Sequence, residues 1–135
     1  MGTTRALVID DNESIRGLLA TVLEHKGFEV QTAANGARAL DLLNRRNHDS
    51  AFSPDVILLD MSMPVMDGPT FVENYFRLPG PHVPIVGVTA SPWQAAPVAS
   101  SLDAVLVKPF RIKDLVALLD GAVARNAATV DAVPI

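Results

Sequence analysis

Apolar residues along this chain fall into two alternating patterns. A short unbroken run at residues 56–59 reads as a strand buried on both faces, residues 6–9, 85–88 and 104–107 read as strands, and residues 28–32 alternate as a further one. Between the strands, apolar positions recur at three- and four-residue spacing. Ile15, Leu18, Leu19, Val22 and Leu23 mark a first helix, stopped by Gly27. Ala39, Leu40, Leu42 and Leu43 mark a second, which Asn35-Gly36 opens and the polar stretch 44–53 dissolves. A third starts near Pro69, whose missing N–H suits a first helical position, and turns Phe71, Val72, Tyr75 and Phe76 toward the sheet. The last, from residue 112 to about 124, carries Leu115, Val116, Leu118, Leu119 and Val123 on a buried stripe, and the residues after Arg125 read as a frayed tail or the stub of a linker. Alternation of strand and helix throughout predicts an α/β fold, a parallel sheet with right-handed crossovers and helices on both faces.

Composition narrows the classes. With 135 residues, 49% of them hydrophobic and 19% charged, the chain is one globular domain rather than a disordered one. Its net charge of −4 offers nothing to nucleic acid or to an anionic membrane surface. The absence of cysteine removes disulfides, thiolate catalysis and zinc–thiolate sites together. No signal-peptide pattern precedes the first strand and no stretch is apolar enough to span a bilayer, so a cytoplasmic protein is expected.

The candidate chemistry lies at the strand ends. The run 56–59 stops at Asp60, because Pro64 cannot donate to a ladder and Asp67-Gly68 is turn chemistry. One aspartate at a strand end is most often a cap, and the same holds for Asp10-Asp11 before the first helix, where Asp11, Asn12 or Ser14 can cap. In a parallel sheet, however, Asp10, Asp11, Asp60, Thr89 and Lys108 all reach the carboxyl edge, where open α/β sheets build their sites. Each close carboxylate pair costs on the order of 4 kcal/mol at about 4 Å and an effective dielectric near 20, a large share of a domain's roughly 5–15 kcal/mol of stability. Such a cluster calls for a cation. Lys108 supplies one charge, and an all-oxygen pocket with room for water suits Mg2+. Asp60 can then act as nucleophile toward a phosphoryl group, with Lys108 and the metal neutralising its oxygens and the Thr89 hydroxyl donating to one of them.

With these motifs in order, Val8-Ile9-Asp10-Asp11-Asn12, Leu58-Leu59-Asp60 through Asp67-Gly68, Val88-Thr89-Ala90 and Lys108-Pro109-Phe110, the chain resembles the receiver domain of two-component response regulators. The resemblance runs from Arg5 to about Arg125, which makes residues 1–125 the receiver domain and 126–135 a tail or linker stub. It implies a flavodoxin-like, doubly wound (βα)5 fold with parallel strand order 2-1-3-4-5. It also implies that Asp60 is the phosphoacceptor and that Asp10, Asp11, Asp60 and the Ser62 backbone carbonyl hold Mg2+. Thr89 would be the switch hydroxyl, Lys108 the phosphoryl-binding ammonium and Lys108-Pro109 a cis peptide bond. The expected partners are a sensor histidine kinase or histidine phosphotransfer domain and a downstream protein, with no direct nucleic-acid contact and no membrane insertion. An apolar patch at Ile15 and Phe110 resembles the surface on which receivers dock a phosphohistidine helix. The domain would not be an enzyme in its own right but would assist its own phosphorylation and slow dephosphorylation. Small side chains at Ser62 and Ser91, which flank the path of attacking water in the family, imply a short-lived acyl phosphate.

Three other readings are weaker. A haloacid-dehalogenase-type phosphatase would need a second aspartate where Asn12 stands, and a flavodoxin-like cofactor site would need a phosphate cradle where Asp10-Asp11 would repel phosphate. An unphosphorylated pseudo-receiver that only binds protein is the remaining alternative, and the intact Asp60 and Lys108 argue against it. Met61, Met63 and Met66 read as loop and core filling, His25, His48 and His82 as surface residues, and Trp93 as a contact residue at most.

The chain departs from its family between the fourth and fifth strands. Pro97 stands inside residues 91–101, where a family member carries a full helix, and an interior proline costs about 3 kcal/mol. That helix, the fourth of the family, is therefore expected to be short, broken or absent. The family's aromatic switch position, three residues before the lysine, is Val105. Phosphorylation is thus expected to act by ordering residues 90–103, or the domain to pass phosphoryl groups on, rather than through the usual helix-four dimer.

Overall fold

The structure, a computed structural model, describes residues 3–44 and 53–131. Five parallel strands, β1 (Arg5–Ile9), β2 (Glu29–Ala33), β3 (Val56–Asp60), β4 (Ile85–Thr89) and β5 (Ala104–Val107), form one sheet in the order 2-1-3-4-5. The order expected from the resemblance is the one found. Four α-helices, α1 (Glu13–His25), α2 (Gly36–Leu43), α3 (Gly68–Arg77) and α4 (Ile112–Asp131), cover its two faces.

The unbroken apolar runs are explained by those two layers. In β1, Leu7 and Ile9 join Ile57, Leu59, Phe71, Val72 and Tyr75 in the layer beneath α2 and α3, while Ala6 and Val8 join Leu58, Val86, Leu19, Leu23, Leu115 and Leu119 in the layer beneath α1 and α4. A strand in the middle of the sheet therefore has no solvent face, and β3 and β4 are buried at every position. β2, on the edge, alternates instead. Asn12, Asn35 and Asp67 cap α1, α2 and α3 through side-chain oxygens.

The connection between β4 and β5 is not an α-helix. It makes two 3-10 turns, at Pro92–Gln94 and Ala96–Ser101, and the second is interrupted at Val98, whose φ of −125° is not helical. Ala95 and Val98 are still buried against the layer of α3.

Several expectations need correction. The last helix does not end near Ala124 in a frayed tail, but runs on to Asp131. Residues 125–131 contain alanines and neither glycine nor proline, so nothing in them stops a helix. Phe76 does not face the sheet: Phe71, Val72 and Tyr75 already occupy that stripe, and Phe76 is 41% exposed, its ring 5.0 Å from His82. His82 is accordingly not a plain surface residue but half-buried, with its ring edge-on to Tyr75 at 4.9 Å. Leu18, on the helical stripe of α1, is 61% exposed. His48 and most of the polar stretch 44–53 lie outside the described residues. Among the described residues, no helix is long and apolar enough to cross a membrane.

Candidate functional site

Sheet register assembles the site. Ile9 pairs with Leu59, which sets Asp10 level with Asp60 on the neighbouring strand; Asp60 pairs with Val88 and Thr89 with Val107, so Thr89 and Lys108 follow at the same edge. The carboxylates of Asp10, Asp11 and Asp60 each bring an oxygen within 4.8 Å of the others. Asp10 and Asp60 are buried, while Asp11 is exposed.

Short backbone bonds hold the carboxylates in place. Asp10 Oδ1 accepts from the Asn12 N–H at 2.9 Å, and Asp60 Oδ1 from the Ser62 N–H at 3.0 Å. Burial, the dominant influence, still pushes the Asp60 carboxyl above the ordinary carboxylate range, with Asp10 and Asp11 adding to the rise and the Ser62 N–H and Lys108 opposing it. Asp10 is raised for the same first reason. Three hard oxygen donors, two of them held where burial and like charge disfavour ionisation, make a donor set that fits Mg2+.

Lys108 reaches the same place. It lines, with Asp10, Asp60, Ile15, Leu58 and Phe110, a cavity of 330 Å³ open to the sheet edge. Its backbone N–H donates to the Thr89 carbonyl at 2.8 Å, and its bond to Pro109 is cis, as the resemblance implied. Ile15 is 38% exposed and Phe110 half-buried at the mouth of this cavity.

Thr89 is fully buried, and its hydroxyl is already engaged. Oγ1 lies 2.5 Å from Gln94 Oε1 and 3.0 Å from the Ser91 carbonyl oxygen, and it accepts from the Ser91 N–H at 3.0 Å. Ser91 is half-buried and Ser62 exposed. Two participants escaped the sequence reading. Arg16 donates to the Asp10 carbonyl at 2.9 Å, and Gln94 meets Thr89. The helical phase of Arg16, one turn after Asn12, could have suggested the first; a lone glutamine in a polar stretch gives no signal.

The loop that leaves Asp60 is tightly built. Met61 and Met63 are buried, and Gly68 is needed at the start of α3 because a Cβ there would lie 2.6 Å from the Met61 Cα. Between them, Val65 has φ 71° and is 88% exposed, at the centre of a three-residue turn closed by the Met66 N–H on the Pro64 carbonyl at 2.8 Å.

Comparison with known proteins agrees with this geometry. Residues 6–120 match the response regulator receiver domain family. The chain is 36% identical over 132 residues to the transcriptional regulatory protein PrrA of Mycobacterium leprae, covering 96% of this chain and 54% of that protein. It is 32% identical over 126 residues to the response regulator MprA of Mycobacterium sp. (strain KMS), covering 91% and 52%. It thus spans about half the length of the curated relatives it matches. Among solved structures, a receiver domain protein from Clostridium thermocellum superposes with a TM-score of 0.79 at 25% identity, covering 93% of this chain and 98% of that one. The chemotaxis response regulator CheY4 of Vibrio cholerae superposes with a TM-score of 0.74 at 30% identity, covering 90% and 99%.

Proposed function

The chain belongs to the response regulator receiver domain family, and from that premise we propose that it accepts a phosphoryl group on Asp60 in a two-component phosphorelay. The observation that carries the reading is the trio of Asp10, Asp11 and Asp60, with oxygens within 4.8 Å of one another, in a cavity that Lys108 also lines. A carboxylate cluster at such spacing is costly unless a cation uses it.

The donor is a phosphohistidine of a sensor kinase or of a phosphotransfer domain. Asp60 Oδ1 is held by the Ser62 N–H, so Oδ2 attacks phosphorus; the new P–O bond forms as the P–N bond breaks, and the imidazole, already protonated on its other ring nitrogen, leaves neutral with the bonding pair. Asp10, Asp11, Asp60 and the Ser62 carbonyl would hold Mg2+, which when bound neutralises charge on the phosphoryl oxygens. Lys108 neutralises a further oxygen, and the Thr89 hydroxyl donates to one once the phosphoryl group is in place. The domain performs no turnover on a separate substrate. It assists its own phosphorylation and, through water admitted past Ser62 and Ser91, its own dephosphorylation. The partner that reads the phosphorylated state is a protein, and these residues themselves contact no nucleic acid.

Acetyl phosphate with Mg2+ tests the reading, followed by intact mass. One phosphoryl group should add to the wild type and none to Asp60→Asn, while Asp10→Asn and Asp11→Asn should slow the gain by weakening metal binding. Stoichiometric labelling of Asp60→Asn would refute the assignment. A wild type that never labels, with or without Mg2+, would favour a pseudo-receiver that only binds protein.

A further inference from the structure

The Thr89 hydroxyl has a single proton, and the structure directs it away from Asp60. Thr89 shares its strand parity with Ile85, whose side chain packs in the layer beneath α2 and α3, whereas the cavity at Asp60 is lined on β4 by Val88, of the opposite parity. On that side the proton has two acceptors in reach, the Gln94 carboxamide oxygen at 2.5 Å and the Ser91 carbonyl at 3.0 Å, and the shorter contact with Gln94 takes it. The contact belongs to a closed ring. The Ser91 N–H donates to Thr89 Oγ1 at 3.0 Å, and the Gln94 N–H donates back to the Ser91 carbonyl at 2.9 Å. The Thr89 backbone, in turn, is fixed by the Lys108 N–H on its carbonyl. The strand end is therefore held, while the hydroxyl proton can change its acceptor.

We propose that Gln94 is a positioning residue that acts through Thr89, holding its hydroxyl in the unphosphorylated arrangement and setting the cost of switching. This rests on the phosphoacceptor reading of Asp60. When Asp60 carries a phosphoryl group, the Thr89 proton transfers its hydrogen bond from Gln94 Oε1 to a phosphoryl oxygen. The Gln94 side chain is then released, and with it the 3-10 turn Pro92–Gln94 that the ring had tied to the strand. This turn is where a full helix is missing, so the release takes place in a connection that has only short 3-10 turns and no α-helical ladder to resist it. Trp93, 74% exposed in the same turn, moves with it.

Gln94→Leu keeps the bulk and removes the acceptor; Gln94→Ala removes it with less steric demand should the leucine fold poorly. The reading is the dissociation constant of beryllofluoride at saturating Mg2+, measured by 19F NMR in wild type, in Gln94→Leu, in Thr89→Ala and in the double variant. Loss of one hydrogen bond from the unliganded state should tighten binding about three- to tenfold. The affinity for Mg2+ alone, in which Thr89 has no part, should not change. In the Thr89→Ala background the same substitution at Gln94 should have no effect, because its only route to the site is gone. Unchanged or weaker binding in both Gln94 variants overturns the proposal, as does a gain that persists undiminished without the hydroxyl. A wild type that binds no beryllofluoride overturns the phosphoacceptor reading and this inference with it, whereas a wild type that binds with indifferent Gln94 variants removes this inference alone.

Discussion

The connections that follow β3 and β4 begin alike and end differently. Each leaves a buried strand end through a short loop and reaches a residue able to cap a helix with a proline close behind: Asp67-Gly68-Pro69 in one, Ser91-Pro92 in the other. The first becomes the ten-residue helix α3, the second two 3-10 turns. In the first, the Asp67 side chain accepts from the Thr70 N–H at 2.9 Å, and no further proline interrupts the helix. In the second, Ser91 makes no capping bond with its side chain, and Pro97 precedes the break at Val98. A start signal is thus not enough; the cap must close and the following two turns must tolerate helical angles. The two connections differ accordingly: Gly68 packs one against the loop after Asp60, and the contacts of Thr89 with Ser91 and Gln94 tie the other to β4.

The largest expected effect comes from damaging the rigid connection where it is tightest. Gly68→Ala puts a Cβ 2.6 Å from the Met61 Cα, backbone that cannot swing aside, and should cost about 1–3 kcal/mol or more in urea unfolding while slowing phosphorylation of the adjacent Asp60. A variant with wild-type stability would show that this loop is looser than its contacts imply.

Next is the cap. Asp67→Ala should cost about 1 kcal/mol near neutral pH. The Thr70 side chain, then its backbone N–H, hold the Asp67 carboxyl below the ordinary carboxylate range. A depressed folded value means the charged form stabilises the fold; that contribution is complete above the ordinary carboxylate value and disappears as pH falls through the folded one. The gap in melting temperature between wild type and variant should therefore narrow in acid and stay constant from mild acid upward.

Smaller effects should make the connection without an α-helix resemble the one that has it. Pro97→Ala removes the interior obstacle, and amide exchange across residues 92–101 should slow, with a net change in stability below about 1 kcal/mol. Exchange as fast as in wild type would mean that the missing cap at Ser91, not Pro97, breaks the helix. Beryllofluoride should finally separate the two connections without any substitution, altering exchange in residues 90–103 while leaving α3 as it was. A uniform change, or strong protection beforehand with a dimer formed through residues 92–101, would contradict the division.

The legibility of this chain follows the same line. Asp10, Asp60, Thr89 and Lys108 could be placed at one edge because each directly ends or follows an apolar run, and a parallel sheet leaves no other place for them. Pro97 announced the missing helix, since a proline acts on its own backbone and needs no partner to be read. Gln94 and Arg16 stayed hidden because their roles depend on where another residue's atom comes to lie. Phe76 was misplaced because helical spacing alone does not say which of four neighbouring apolar residues the sheet has room for. The run of α4 past Arg125 was missed because an absence of stop signals is easily taken for an absence of structure.

Val65 offers a last consequence, for protein engineering. A β-branched residue at φ 71° bears a strain of about 1–3 kcal/mol, and with 88% of its surface exposed it recovers little of that by packing. The domain thus contains a reserve of stability that a designer can release without touching a carboxylate. Glycine, which takes positive φ without a steric cost, is the natural replacement, and the stabilised background would tolerate damaging substitutions at the site that the native chain could not survive.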